Sequence, residues 1–117
     1  AFKFAIEFNW SMLAGDAPDR YYYVVGQKLD DVRMVSRGEN AGFGSFGIVD
    51  KYHDLDISFK TAQPCTLWRF PIETVSLSEY GFERVYQSSV ICLCYDIKLV
   101  PGESHELGFG IDLKRCT

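Results

Sequence analysis

Leu55-Asp-Ile-Ser-Phe-Lys60 alternates apolar and polar side chains. A period of two puts Leu55, Ile57 and Phe59 on one face of an extended strand and Asp56, Ser58 and Lys60 on the other. The same alternation recurs on both sides of this stretch. Phe2, Phe4, Ile6 and Phe8 share a face opposite Lys3 and Glu7; Tyr95, Ile97 and Leu99 alternate with Asp96, Lys98 and Val100; and Leu107, Phe109, Ile111 and Leu113 alternate with Gly108, Gly110, Asp112 and Lys114. Further strands are expected at residues 20–25, 47–50, 66–70 and 86–94. Pro101-Gly102 marks a turn between the last two strands. Two long loops are expected, at residues 11–19 and at the glycine-rich 36–47, and no amphipathic helix stands out. Seven or more short antiparallel strands in 117 residues predict an all-β antiparallel sandwich, with residues 1–117 forming a single domain.

Composition narrows the function classes. A net charge of -4 argues against nucleic acid or an anionic membrane surface as a partner. The longest strongly apolar run, Val90 to Tyr95, is far too short to span a bilayer. The chain starts directly on an alternating strand with no Met, where a natural terminus more often carries frayed polar residues, so it reads as part of something longer. Cys92 and Cys94 fall on one face of a strand, but no second cysteine cluster completes a zinc pattern with Cys65 or Cys116. Four reduced thiols, no metal, no cofactor and a cytoplasmic location are the expectation.

Several motifs invite a sharper reading. Gly42-Phe-Gly-Ser-Phe-Gly47-Ile-Val49 spells the phosphate-loop pattern of a kinase, yet no following lysine motif, catalytic loop or helix start accompanies it; a flexible hairpin loop is expected instead. Asp16, Asp19 and Arg20 cluster around Pro18, either as an Asx-turn or as a surface that docks another domain. His53 and His105 sit in polar, turn-like surroundings with no nucleophile motif beside them.

The densest chemistry lies between Trp68 and Ser89. Its 22 positions hold five aromatics, three carboxylates, two arginines and one glutamine. Rings that stack on C–H faces, beside carboxylates, guanidinium groups and an amide that take hydroxyls, suit a sugar; the same mixture also suits a polar seam between two protein layers. The candidate contact residues are Trp68, Arg69, Glu73, Glu79, Glu83, Arg84 and Gln87. Trp68 and Arg69 must point to opposite faces of their strand, as must Glu83 and Arg84. Spacing along strands does not establish a glycosidase carboxylate pair among Glu73, Glu79 and Glu83, so no catalytic residue is assigned.

Three segments, residues 4–22, 49–55 and 67–89, together resemble the C-terminal β-sandwich module of glycoside hydrolase family 57 amylolytic enzymes, the α-amylase and 4-α-glucanotransferase group. The resemblance implies the distal part of a larger sandwich, attached to an N-terminal catalytic barrel that cleaves α-1,4-glucan with retention and carries the catalytic glutamate and aspartate. Neither catalytic motif has a counterpart in this sequence. The resemblance therefore implies a non-catalytic role, packing against the barrel and helping to shape the glucan-binding surface. Asp16, Asp19 and Arg20 are assigned to that interface because a polar loop at the end of a sandwich is well placed to meet another domain. Contact with maltodextrin is also expected. A module acting alone in carbohydrate binding is the alternative. Open sheet edges make self-association a further expectation.

Overall fold

A computed structural model describes residues 1–117. Eight strands form, in the order β1 (Phe2–Trp10), β2 (Arg20–Val24), β3 (Gly38–Asn40), β4 (Ser45–Asp50), β5 (Leu55–Thr61), β6 (Thr66–Ser78), β7 (Gly81–Ile97) and β8 (Phe109–Lys114). They build two four-stranded sheets, β1-β7-β6-β3 and β2-β4-β5-β8. Every neighbouring pair is antiparallel, and there is no helix. This is the all-β sandwich that the alternating pattern predicts.

The two inner faces meet in one core. Tyr22, Phe46, Ile48, Ile57 and Phe59 come from the second sheet, and Leu67, Ile91, Leu93, Tyr95 and Ile97 from the first. Loop residues Met12 and Met34 complete it. Phe46 and Phe59 are register partners on β4 and β5 and stack with centroids 4.8 Å apart and planes 3° apart. Across the gap, Phe8 and Trp10 on β1 each bring a ring to 5.8 Å from Phe59. Phe59 thus ties both sheets together. Ile6 and Phe8 pack on this core, whereas Phe2 and Phe4, on the same face of β1, stay largely exposed because β1 is an edge strand.

The strand boundaries depart from the sequence reading in instructive ways. Residues 86–94 and 95–100 are not two strands: β7 runs unbroken through the junction and stops at Ile97, leaving Lys98, Leu99 and Val100 outside. The strand expected at 66–70 continues to Ser78, so a hairpin missing from the sequence reading joins it to Gly81. Residues 36–47 are not one loop, because Gly38–Asn40 pairs with Leu67–Arg69 as β3 and β4 already starts at Ser45. The Gly42–Gly44 segment is consequently not a hairpin turn. It carries the chain from the first sheet to the second, with Gly42 at a φ of 67°. Smaller shifts place the end of β1 at Trp10, the end of β2 at Val24 and the start of β8 at Phe109. The turn at Pro101-Gly102 is present, with Gly102 at a φ of 85°.

The β6–β7 hairpin outgrows its sheet. β1 pairs with β7 only as far as Trp10–Ser89, and β3 pairs with β6 only as far as Gly38–Arg69. Pro71 follows two residues on and, lacking an N–H, cannot donate to a further strand. From Ile72 to Ser88 the hairpin is a bare two-stranded ribbon, extending roughly 20 Å at a strand's rise per residue. The ribbon stretches the molecule to 58 × 38 × 22 Å. Its radius of gyration is 16.4 Å, against about 13 Å for a compact domain of this length.

Phe59 has no exposed surface and three aromatic neighbours. Phe59→Ala should therefore lower unfolding free energy by about 3–5 kcal/mol, read as the shift in urea midpoint. Leu77→Ala, on the ribbon, should move that midpoint within about 0.5 kcal/mol.

Candidate functional site

The ribbon is the place where the sequence candidates gather. Glu73, Glu79, Glu83, Arg84 and Gln87 all lie on it. A register shift between Ile72 and Glu73 sets how they point. Ile72 faces Ser88 while Glu73 faces Tyr86, so Gln87 is an extra residue on β7. Beyond it Tyr86, Arg84 and Phe82 share a side with their partners Glu73, Val75 and Leu77. Glu83, Val85, Thr74 and Ser76 take the other side, where the Gln87 amide donates to Thr74 Oγ1 at 3.1 Å. Glu73 and Glu83 therefore project from opposite faces, and Glu79 sits at the tip beside Tyr80. The geometry separates these carboxylates instead of pairing them.

Large apolar side chains stand exposed along the ribbon. Val75, Leu77, Tyr80 and Phe82 are 61%, 77%, 96% and 79% exposed. The sequence reading passed over Val75, Leu77 and Val85. The signal was present, because Val75-Ser-Leu77-Ser alternates into Glu-Tyr-Gly81, a two-residue turn before a glycine at a φ of 115°.

The 11–19 loop lies at the ribbon's base. Gly15 packs so closely on the Tyr86 ring that an added Cβ would come within 2.8 Å of it. Ser11 Oγ donates to the Gln87 carbonyl at 3.5 Å. Asp16 is exposed at the surface of this loop. Asp19 is turned back on its neighbour, its carboxylate accepting from Arg20 Nε at 3.0 Å. Arg20 itself is buried, donates to the Met12 carbonyl and stacks 5.5 Å from the Tyr52 ring. Its partner in the β2–β4 register is Asp50, also buried. His53 Nδ1 meets the Asp50 carboxylate at 2.6 Å, and the His53 N–H donates to it at 3.2 Å. Burial alone would raise the Asp50 pKa, but these hydrogen bonds and the Arg20 charge outweigh it and hold the carboxyl below its ordinary value. His105 is exposed.

Trp68 and Arg69 stand apart, on the body of the sandwich. Arg69 points inward and is 5% exposed. Its guanidinium donates to Ser36 Oγ at 2.7 Å and lies 5.1 Å from the Tyr22 ring. Burial pulls its pKa below the ordinary arginine value. Near it Ser89 donates to the Met34 carbonyl at 2.7 Å and shares a 2.6 Å hydrogen bond with Tyr86. Part of the polar stretch thus forms a seam between layers. Trp68 points outward, with the Lys3 ammonium 5.6 Å over its ring and bonded to Asp96 at 3.2 Å. All four cysteines are free thiols. No cluster of three His, Cys, Asp or Glu side chains is close enough to hold a metal ion.

Comparison with known proteins adds a family context. Residues 1–107 match the family model described as alpha-amylase/4-alpha-glucanotransferase, C-terminal. The chain is 36% identical over 105 residues to alpha-amylase 1 of Dictyoglomus thermophilum, a match that covers 87% of this chain and 14% of that protein. No solved structure matches.

Because its folded-state pKa is depressed, Asp50 contributes stability that is complete above about pH 4 and drains as pH falls further. Asp50→Asn should cost about 2 kcal/mol at pH 6. The gap in urea midpoint between the two proteins should narrow as pH falls through the depressed folded-state pKa and the wild-type carboxyl takes up its proton.

Proposed function

Since the chain belongs to the family of C-terminal domains of α-amylases and 4-α-glucanotransferases, we propose that it is a non-catalytic module of an α-1,4-glucan-active enzyme of the glycoside hydrolase family 57 type, docked through the β6–β7 ribbon onto the catalytic barrel of the same polypeptide. One observation carries this reading: beyond its base on the 11–19 loop, the two-stranded ribbon exposes Val75, Leu77, Tyr80, Phe82 and Val85 with nothing covering them. Isolated two-stranded hairpins are marginally stable in water, and soluble monomers rarely leave contiguous apolar surface bare. Leu77 and Phe82 are register partners on one side of the ribbon, an anchor pair of the kind that dominates interface energetics.

The occupant is the rest of the polypeptide. The matched region is a small part of alpha-amylase 1, at 14% of its length, and a covalently tethered neighbour is present at high effective concentration. Glu79, Glu83, Arg84 and Gln87 then supply a polar rim around the apolar anchor. Asp16 and Asp19 extend that rim from the 11–19 loop, with Arg20 positioning Asp19 from beneath. Glu73, held 3.5 Å from Arg37, braces the ribbon at its root. A cytoplasmic location and a role without cofactors belong to the same reading. A carbohydrate-binding module acting alone would leave the ribbon uncovered.

The test mixes this chain with the separately expressed catalytic region of its parent enzyme in a calorimeter. The double variant Leu77→Asp/Phe82→Asp should weaken association about 100-fold or more, while its own thermal melt stays close to wild type. Undiminished association of that variant would place the docking surface elsewhere.

A further inference from the structure

We propose that the outward face of the second sheet is an α-glucan-binding shelf built on Tyr21 and Tyr23. The ligand class rests on the α-glucan reading above; the shelf itself uses no residue of the ribbon. On β2, Arg20, Tyr22 and Val24 are buried inward, which turns Tyr21 and Tyr23 to the other face. Register then aligns two rows across the sheet. Tyr21 lies level with Val49, Asp56 and Lys114, and Tyr23 with Gly47, Ser58 and Asp112.

The Tyr23 ring passes over Gly47. A Cβ at that position would come within 2.6 Å of the ring's Cζ and 2.5 Å of its hydroxyl. Glycine is therefore what lets the ring lie down across β4. The ring is held there by a 2.8 Å hydrogen bond from its hydroxyl to Asp56. Next to it Val49 is only 8% exposed despite facing outward, so the centre of this face is covered while both tyrosine rings remain half-buried at the surface.

The surroundings select the ligand. Asp56, Ser58, Asp112, Lys60 and Lys114 share this face with the two rings. Lys51 stands 5.8 Å over the Tyr21 ring and has no carboxylate partner, so its ammonium is available to a hydroxyl. Carboxylates and ammoniums are interspersed, which disfavours a strongly charged ligand. In these rows the one aliphatic side chain, Val49, is nearly covered, and Leu29 and Val32 beside the tyrosines add an apolar edge on which C–H faces can rest. A neutral polyol with apolar C–H faces fits both features. Trp68 is less suited, because Lys3 already sits over its ring and is tied to Asp96.

The experiment is a titration of the ¹⁵N-labelled chain with maltoheptaose. Saturable shifts should centre on the amides of Tyr21, Tyr23, Ser58 and Asp112, with cellohexaose much weaker. Tyr21→Ala should weaken binding about 5-fold, and Tyr21→Phe should leave it near wild type. Ser58→Arg, which plants bulk on the shelf without touching the core, should abolish binding in a protein that still melts cooperatively. Absence of saturable shifts would overturn the shelf, as would shifts centred on Trp68 that Trp68→Ala removes. Equal binding of cellohexaose would overturn the ligand class. Neither result bears on docking, which the Leu77→Asp/Phe82→Asp variant reads separately.

Discussion

An extra residue on β7 controls the upper half of this molecule. Strand side chains alternate with a period of two, so one inserted residue exchanges the faces of every residue beyond it on its own strand while the partner strand keeps its alternation. Below the shift, Leu93, Ile91 and Ser89 point into the sandwich. Above it the inward side passes to Tyr86, Arg84 and Phe82. Tyr86 can then reach Ser89 and support Gly15 of the 11–19 loop. In the unshifted register Tyr86 would face outward and that loop would lose its seat. Phe82 would also move to the other side of the ribbon and no longer face Leu77, whose side is set by the unbroken alternation of β6.

The same switch separates two kinds of chemistry that lie close together in the chain. Arg69, Ser36, Tyr22, Ser89 and Tyr86 form a polar interior seam, in which Arg69 Nη1 bonds Ser36, Ser89 bonds Met34 and Tyr86, and the Tyr22 hydroxyl and Arg69 Nε are left without a hydrogen-bond partner. Gly38 belongs to this seam for a steric reason: a Cβ there would collide with the Arg69 guanidinium. Glu79, Glu83 and Arg84 lie outside it and face solvent. The buried Arg69 guanidinium ties the layers together through Ser36 and the Tyr22 ring, whereas exposed charges on a ribbon contribute little to stability and remain free to meet a partner.

Much of the fold was legible in the alternation itself. Leu55, Ile57 and Phe59 specify β5 because one face of it is buried, and buried faces make register strong. The ribbon was illegible for the opposite reason. Neither of its faces is buried, so Val75, Leu77 and Phe82 carry a pattern that no core enforces. The bulge at Gln87 has no sequence signature, since it replaces a face assignment without a glycine or proline to mark it. For the same reason the stretch from Trp68 to Ser89 read as one patch when it is three places: an outward ring, an inward guanidinium and a ribbon. Tyr21 and Tyr23 were hidden in a run of three tyrosines, and only the burial of Tyr22 separates them from the core.

The central claim is that the ribbon is an interface whose partner is the rest of the enzyme. Amide hydrogen exchange tests it most directly, because two-stranded hydrogen bonds with no third strand open easily until something covers them. In the 117-residue chain, amides of the ribbon outside the core should exchange fast, while those of Ile91 and Leu93 are protected. Adding the catalytic region should slow exchange from Val75 to Val85 and leave the Phe59 core unchanged. Fast exchange along the ribbon in that complex, with new protection confined to other surfaces, would contradict the account.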